Sequence, residues 1–221
     1  MEATDGCNIL RNYDDMPDCM FKLIVIGEAS VGKSCLMIRA VKDEYKDGYD
    51  VTVGADSSTF MVKIKEKVVQ LQIWDTAGME KFRSVIKVFF TGSHGAFLVY
   101  DITRKETYDM LDIWLNFLKE NSTPDVKIIL VGNKKYLESK RQVTFEMGKD
   151  YAQKRGLFDF VETSAKTGEA VIQTFIRIAN TLFKENAKED DTSHEANGEV
   201  NEGSKKTTLE KPKNAKKKGC C

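Results

Sequence analysis

The sequence predicts an α/β domain built on a mostly parallel six-stranded sheet with one antiparallel edge and helices on both faces. Three observations predict it. Short apolar runs alternate with stretches of helical spacing from Phe21 to Phe183; two of the runs are separated only by Glu66 and Lys67; and the first run ends in a glycine-containing loop that opens a helix. Alternation of this kind lays parallel strands under crossover helices, and the close pair supplies the antiparallel edge.

The elements follow in chain order. Residues 23–26, Leu-Ile-Val-Ile, form a continuous apolar run, the pattern of a strand buried on both faces. A helix is expected over residues 33–40, then a polar loop through Thr52. Residues 59–65 and 68–74 read as the two arms of a hairpin. Residues 96–102, residues 126–131 and the short Phe160-Val161 pair complete the six strands. Between them, Leu111, Trp114, Leu115 and Leu118 share one helical face, residues 145–155 form a further helix, and Ile172, Phe175, Ile176 and Ala179 line the last, expected over residues 170–183. Those apolar positions are core.

Composition narrows the function. The 221 residues carry 34 basic and 34 acidic side chains, a balance unlike that of a nucleic-acid binder. Cys7, Cys19, Cys35, Cys220 and Cys221 show neither a disulfide framework nor the CxxC spacing of a zinc site, which fits a reducing cytosolic compartment. No apolar run approaches the roughly 18 residues of a membrane span, and the residues before Phe21 are acidic rather than basic, so neither a transmembrane helix nor a signal peptide is expected. Residues 1–19, with Glu2, Asp5, Asp14, Asp15 and Asp18, read as a disordered acidic extension; residues 20–184 as the folded domain. Residues 185–202 hold seven acidic side chains against one Lys, and residues 205–218 hold seven Lys against one Glu. Residues 185–221 therefore read as a flexible tail.

The loop after the first strand is Gly27-Glu28-Ala29-Ser30-Val31-Gly32-Lys33-Ser34, a GxxxxGKS phosphate loop, and with the strand before it and the helix after it this places the domain among P-loop NTPases. Gly27 and Gly32 let the backbone curl so that successive N–H groups face an anion, and the helix opening at Lys33 adds its positive end. Lys33 can neutralise β and γ phosphates; Ser34 can place a hydroxyl on Mg²⁺. Asp75-Thr76-Ala77-Gly78 follows a strand at the rim where doubly wound sheets bind ligands: Asp75 suits Mg²⁺, and the Gly78 N–H suits the γ-phosphate. Thr52 is a further Mg²⁺ candidate. Asn133-Lys134 and Thr163-Ser164-Ala165-Lys166 fall at strand ends on the same rim and are candidates to border a base.

In the order GEASVGKS, Thr52, WDTAG, GNK and ETSAK, the chain resembles the Ras-like small GTPases; LQIWDTAG, KFRSV, GSHGAFLVYDIT and the GCC behind the Lys block resemble the Rab branch. The resemblance implies a switch that binds GTP or GDP with Mg²⁺, in which Thr52 and the loop from Asp75 grip the γ-phosphate and relax after hydrolysis. It implies that Ala29, Ser30, Val31, Gly32, Lys33, Ser34 and Cys35 cradle the phosphates, with Lys33, Thr52, Gly78 and position 79 serving the reaction. Tyr45 would stack against guanine, Asn133 would hydrogen-bond it, Lys134 would lie over the nucleotide, and Ser164, Ala165 and Lys166 would meet the base, the Ala165 backbone at the guanine oxygen. Expected partners are exchange factors, GTPase-activating proteins, escort and GDI-type carriers, and effectors. Geranylgeranyl groups on Cys220 and Cys221, behind Lys216-Lys217-Lys218, would hold the protein on the cytoplasmic face of intracellular membranes; the expected state is a monomer with no nucleic-acid partner.

Three positions leave the family pattern. Met79 stands where relatives carry the Gln that orients the attacking water, and a thioether has no N–H to offer. Slow intrinsic hydrolysis is expected. Tyr136 replaces the Asp of NKxD, which accepts two hydrogen bonds from guanine; bonds to a charged group are worth about 1.5–3 kcal/mol, so guanine binding should weaken roughly ten- to a hundredfold or lose selectivity. Ser57 stands where an aromatic is usual on the partner-facing surface. These departures keep open an alternative, a membrane-anchored nucleotide-binding module that scarcely cycles.

Overall fold

A computed structural model describes residues 7–11, 16–46, 52, 55–76 and 87–195, the last eight as backbone only. The strands are β1 (Cys7–Leu10), β2 (Cys19–Ile26), β3 (Ala55–Ile64), β4 (Lys67–Thr76), β5 (Gly95–Asp101), β6 (Lys127–Asn133) and β7 (Asp159–Glu162). The helices are α1 (Lys33–Lys42), α2 (Lys105–Asp109), α3 (Leu111–Asn121), α4 (Phe145–Lys154) and α5 (Val171–Glu195). Strand order is β1-β3-β4-β2-β5-β6-β7. β1 and β4 both run antiparallel to β3, and every other pairing is parallel.

The period of two along the central strands sorts their side chains into two cores. Leu23 and Val25 of β2, Phe97 and Val99 of β5, and Ile129 and Val131 of β6 face α1 and α5, where Leu36, Met37, Phe175, Ile178 and Ala179 close over them. Ile24, Ile26, Leu98, Tyr100 and Leu130 face the other way, against Leu111, Trp114, Leu115 and Leu118 of α3 and Ala152 of α4. Packing on both faces fixes the register of the sheet, and so fixes where its strand ends deliver their loops.

Three expectations change. The sheet has seven strands rather than six, because residues 7–10, read as part of a disordered extension, pair with the free edge of β3 from Cys7↔Ile64 to Leu10↔Met61. Alternation explains it: Cys7 is 6% exposed and Ile9 packs against the same core, so two apolar side chains and an edge ladder order a segment whose composition is otherwise acidic. The hairpin turn falls at Lys65 and Glu66, one residue earlier than expected, with Lys65 at φ 54. Finally, α5 continues to Glu195, so the boundary expected at residue 185 lies inside a helix. Residues 184–195 contain no Gly or Pro, and elongation of a helix already anchored by packing costs little. Among the described residues no helix is long and apolar enough to cross a membrane.

Candidate functional site: a phosphate and base cradle

β2 ends at Ile26, and the turn that follows is left-handed at Gly27 (φ 138), Ser30 (φ 63) and Gly32 (φ 96). Two of these positions cannot carry a side chain. A Cβ on Gly27 would lie 2.1 Å from the Val99 carbonyl oxygen, and one on Gly32 would lie 2.4 Å from Asn133 Nδ2. The loop thus closes directly onto β5 and onto the end of β6. It delivers α1 with Gly32 at its N-cap, no side-chain cap and no acidic residue in the first turn, which leaves its N–H groups for an anion.

Lys33, the first residue of α1, is only 6% exposed, and its Nζ donates to the Gly27 oxygen at 3.0 Å and the Glu28 oxygen at 2.9 Å. Burial lowers its pKa to about 8 against the pull of Asp75 and Glu28. A phosphate beside it would restore the charge. Ala29, Ser30 and the fully buried Val31 form the span of the loop, and Cys35 follows on α1, part-buried against the core.

Three oxygen side chains from three segments meet on one atom. Ser34 Oγ donates to Asp75 Oδ2 at 2.5 Å, Thr52 Oγ1 donates to the same oxygen at 3.1 Å, and the two hydroxyls are 2.8 Å apart. Asp75, at the end of β4, is 1% exposed, and burial pushes its carboxyl up while Ser34, Lys33 and Thr52 pull it down. Its Oδ1 is buried with no hydrogen-bond partner among the described residues. An all-oxygen donor set with an unsatisfied carboxylate oxygen fits Mg²⁺, which Ser34, Thr52 and Asp75 would hold. An ion there would supply charge neutralisation for phosphate oxygens. Among the described residues no cluster of three or more His, Cys, Asp and Glu gathers, so the cation site rests on hydroxyls and one carboxylate.

The base side is built from the ends of β6 and β7. Asn133 is 1% exposed; its Nδ2 donates to the Val31 oxygen at 2.8 Å, and its Oδ1 accepts from Ala165 N at 3.2 Å and Thr163 Oγ1 at 3.3 Å. Lys134, left-handed at φ 69, pairs through Nζ with Asp101 Oδ2 at 2.8 Å. Lys166 Nζ lies 5.6 Å from the Tyr45 ring and 5.3 Å from the Tyr136 ring. Ser164 is buried and its Oγ accepts from Thr167 N at 3.0 Å. The predicted residues Tyr45, Asn133, Lys134, Tyr136, Ser164, Ala165 and Lys166 are therefore brought together with the phosphate loop. Gly78, Met79, Cys220 and Cys221 lie outside the described residues.

Three supporting residues were missed. Arg39 of α1 donates from Nε to the Ala165 oxygen and from Nη2 to the Lys166 oxygen, both at 2.9 Å, and so carries the base loop on the helix that carries Lys33. Trp114, read only as core, donates from Nε1 to Glu28 Oε1 at 2.7 Å and anchors the phosphate loop on α3. Asp101 orients Lys134. A buried Trp requires a partner for its N–H, which was the available signal; the other two contacts join distant segments and left none. Elsewhere, Ser57 pairs in register with Trp74, whose ring stacks on Phe89 at 4.9 Å.

The sequence is also similar to known proteins. A family model described as the Ras family matches residues 22–184. The chain is 47% identical over 167 residues to the Ras-related protein Rab-4 of Dictyostelium discoideum, an alignment spanning 76% of this chain and 81% of that protein.

Proposed function

The chain belongs to the Ras family and is a Rab-like small GTPase; we propose that it cycles between GTP and GDP forms at intracellular membranes and regulates vesicle traffic through effectors. The observation that carries the switch is the meeting of Ser34 and Thr52 on Asp75 Oδ2. Ser34 belongs to the first turn of α1 and Thr52 to the segment before β3, so whatever occupies this cation site biases the position of that segment. Gly78 is the proposed γ-phosphate sensor on the other side. Cys220 and Cys221 are the proposed points for geranylgeranyl attachment, with the Lys block adding about 1 kcal/mol per residue toward anionic lipid. Exchange factors, activating proteins, GDI-type carriers and effectors are the proposed partners, acting on a monomer.

A second reading, a membrane-bound module that holds nucleotide with little cycling, is favoured by Met79, which has no amide to orient water. One measurement separates the two: the nucleotide content of the purified full chain, together with its turnover at saturating GTP. Bound GDP with measurable turnover supports the switch; bound GTP with none supports the module; no bound nucleotide and no Mg²⁺-dependent uptake of GDP would overturn both.

A further inference from the structure

The base loop is a turn closed on itself and held from two sides. Within it, Ser164 N donates to the Glu169 oxygen at 3.1 Å, Gly168 N to the Ser164 oxygen at 2.8 Å, and Thr167 N to Ser164 Oγ at 3.0 Å. On the β6 side, Asn133 Oδ1 accepts from Ala165 N at 3.2 Å. On the α1 side, Arg39 donates from Nε to the Ala165 oxygen and from Nη2 to the Lys166 oxygen, both at 2.9 Å. Its Nη1 donates to the Asp43 oxygen at 2.9 Å and to Asp43 Oδ1 at 3.2 Å. The Arg39 side chain is 15% exposed. A Cβ on Gly168, which sits at φ 83, would lie 3.6 Å from Arg39 Cδ, so the backbone of the turn rests on the arginine's stem. A planar guanidinium that reaches two successive carbonyls fixes their direction as well as their distance.

The helix behind this contact is the one that opens at the phosphate loop. α1 begins with Lys33 and Ser34 and presents Arg39 six residues after Lys33, about 9 Å along its axis. Its C-cap, Asp43, is left-handed at φ 58 and donates its N–H to the Arg39 oxygen at 3.1 Å while its own carbonyl and carboxylate face the guanidinium. The arginine is thus oriented by the end of α1 before it reaches the base loop. We propose that Arg39 is a positioning residue for nucleotide retention: it holds the Ala165 and Lys166 carbonyls so that the base loop stays closed while α1 holds the phosphates. It acts through Ala165 and Lys166 rather than on the nucleotide. A turn held from one side opens more often, and a nucleotide leaves through such local openings, so the loss of Arg39 speeds release. Capture changes little, because differences among variants of one site fall mostly on dissociation. The inference rests on the nucleotide-binding reading above and adds which residue sets the lifetime of the bound state.

The test measures release and capture of a fluorescent GDP by the full chain in Mg²⁺, for wild type, Arg39→Met and Arg39→Lys. Methionine keeps an apolar stem and has no donor; lysine keeps the charge without the fork. Release is expected to be faster by about tenfold or more in Arg39→Met and by about threefold in Arg39→Lys, with association rate constants within about threefold of wild type. EDTA should accelerate release by the same factor in all three proteins, because Ser34, Thr52 and Asp75 are untouched. A substitution that merely loosened the domain would change capture and Mg²⁺ dependence together. Wild-type release from folded Arg39→Met, or slowed capture with lost Mg²⁺ dependence, would overturn this inference and leave the nucleotide-binding reading intact. If Arg39→Met does not fold, Arg39→Lys decides: release about threefold faster supports the inference, and release at the wild-type rate overturns it. Failure of folded wild-type protein to bind GDP would overturn both.

Discussion

Asn133 and Val31, 102 residues apart in the chain, are joined by a buried 2.8 Å hydrogen bond from the side-chain amide to the backbone oxygen. Gly32 leaves room for that amide, and the same side chain accepts from Ala165. The phosphate loop and the base loop are thus one mechanical unit. Asn133→Ala strands the Val31 oxygen and frees the Ala165 N–H, at a cost of about 1–3 kcal/mol for a buried unsatisfied group. Release of a fluorescent GDP should accelerate by about tenfold or more while the circular dichroism spectrum holds. An unchanged release rate would show that the two loops are held together by other means.

The proposed cation site at Ser34, Thr52 and Asp75 predicts a nucleotide affinity that depends on a divalent ion. For the wild-type protein, removing Mg²⁺ with EDTA should weaken GDP binding by about tenfold or more. Ser34→Ala removes one donor and should weaken binding in the presence of Mg²⁺ to near the EDTA level, with little further loss on chelation. Equal Mg²⁺ dependence in both proteins would remove Ser34 from the ion's ligands.

The lack of an amide at Met79 predicts a slow intrinsic rate. Replacing its thioether with an amide in Met79→Gln restores a donor and acceptor that can orient water, and single-turnover hydrolysis should rise by about tenfold or more with GTP affinity unchanged. Identical rates in the two proteins would place the rate limit elsewhere.

The parts legible in the sequence share a physical basis. Local signals place β2, the phosphate loop and α1 within a few residues, because glycine positions, an apolar run and helical spacing all act over short distances. Asp75, Thr52, Asn133 and Lys166 were legible by type and order, although their meeting depends on sheet registers that no local pattern contains. Arg39 was missed because its bonds to Ala165 and Lys166 cross 126 and 127 residues. The ordering of Cys7–Leu10 was missed because an edge strand takes half its stabilisation from a partner, and the acidic residues around it dominate its composition. The extension of α5 past Phe183 was missed because amphipathic spacing reports burial, while a helix can continue past its apolar face on propensity.

His94 supplies a pH dependence remote from the nucleotide. Its Nδ1 accepts the Lys22 backbone N–H at 3.0 Å, the His94 backbone N–H donates to the Lys22 backbone oxygen at 2.9 Å, and the ring meets Phe21 edge-on at 5.5 Å. The bond requires an unprotonated Nδ1. Burial, and then the Lys22 charge, lower the ring's pKa from its ordinary 6.5. The unfolded chain therefore binds more protons than the folded one as pH falls through 6.5, so this contribution is complete above 6.5 and is lost below it. The residue is only partly shielded from solvent, and screening holds the loss to about 1 kcal/mol or less, the scale of one neutral hydrogen bond. Urea melts of wild type at pH 7.5 and 5.5 should differ by more than those of His94→Asn, whose amide oxygen can accept the same bond without titrating.

Removing residues 1–11 tests the seventh strand. The deletion strips the ladder from Met61 to Ile64 and withdraws Cys7, whose thiol contacts Asn180 of α5, with Nδ2 3.2 Å from Sγ. It also withdraws Ile9 from the core and Arg11 from its contacts with the Val41 oxygen and Asp43. A lost edge strand with one buried and two half-buried apolar side chains should cost about 1–3 kcal/mol, and in a domain of this size each kcal/mol lowers Tm by about 2–4 °C. The exposed β3 edge then has unpaired N–H and C=O groups, so the truncated protein should also self-associate more strongly than the full chain at equal concentration, measured by light scattering. Cys7→Asp gives an independent reading: a carboxylate facing the core loosens the strand without shortening the chain, and both effects should appear in weaker form. If Tm and mass are unchanged in both variants, β1 contributes nothing to the fold, and the sheet is in effect the six-stranded one that the sequence pattern describes.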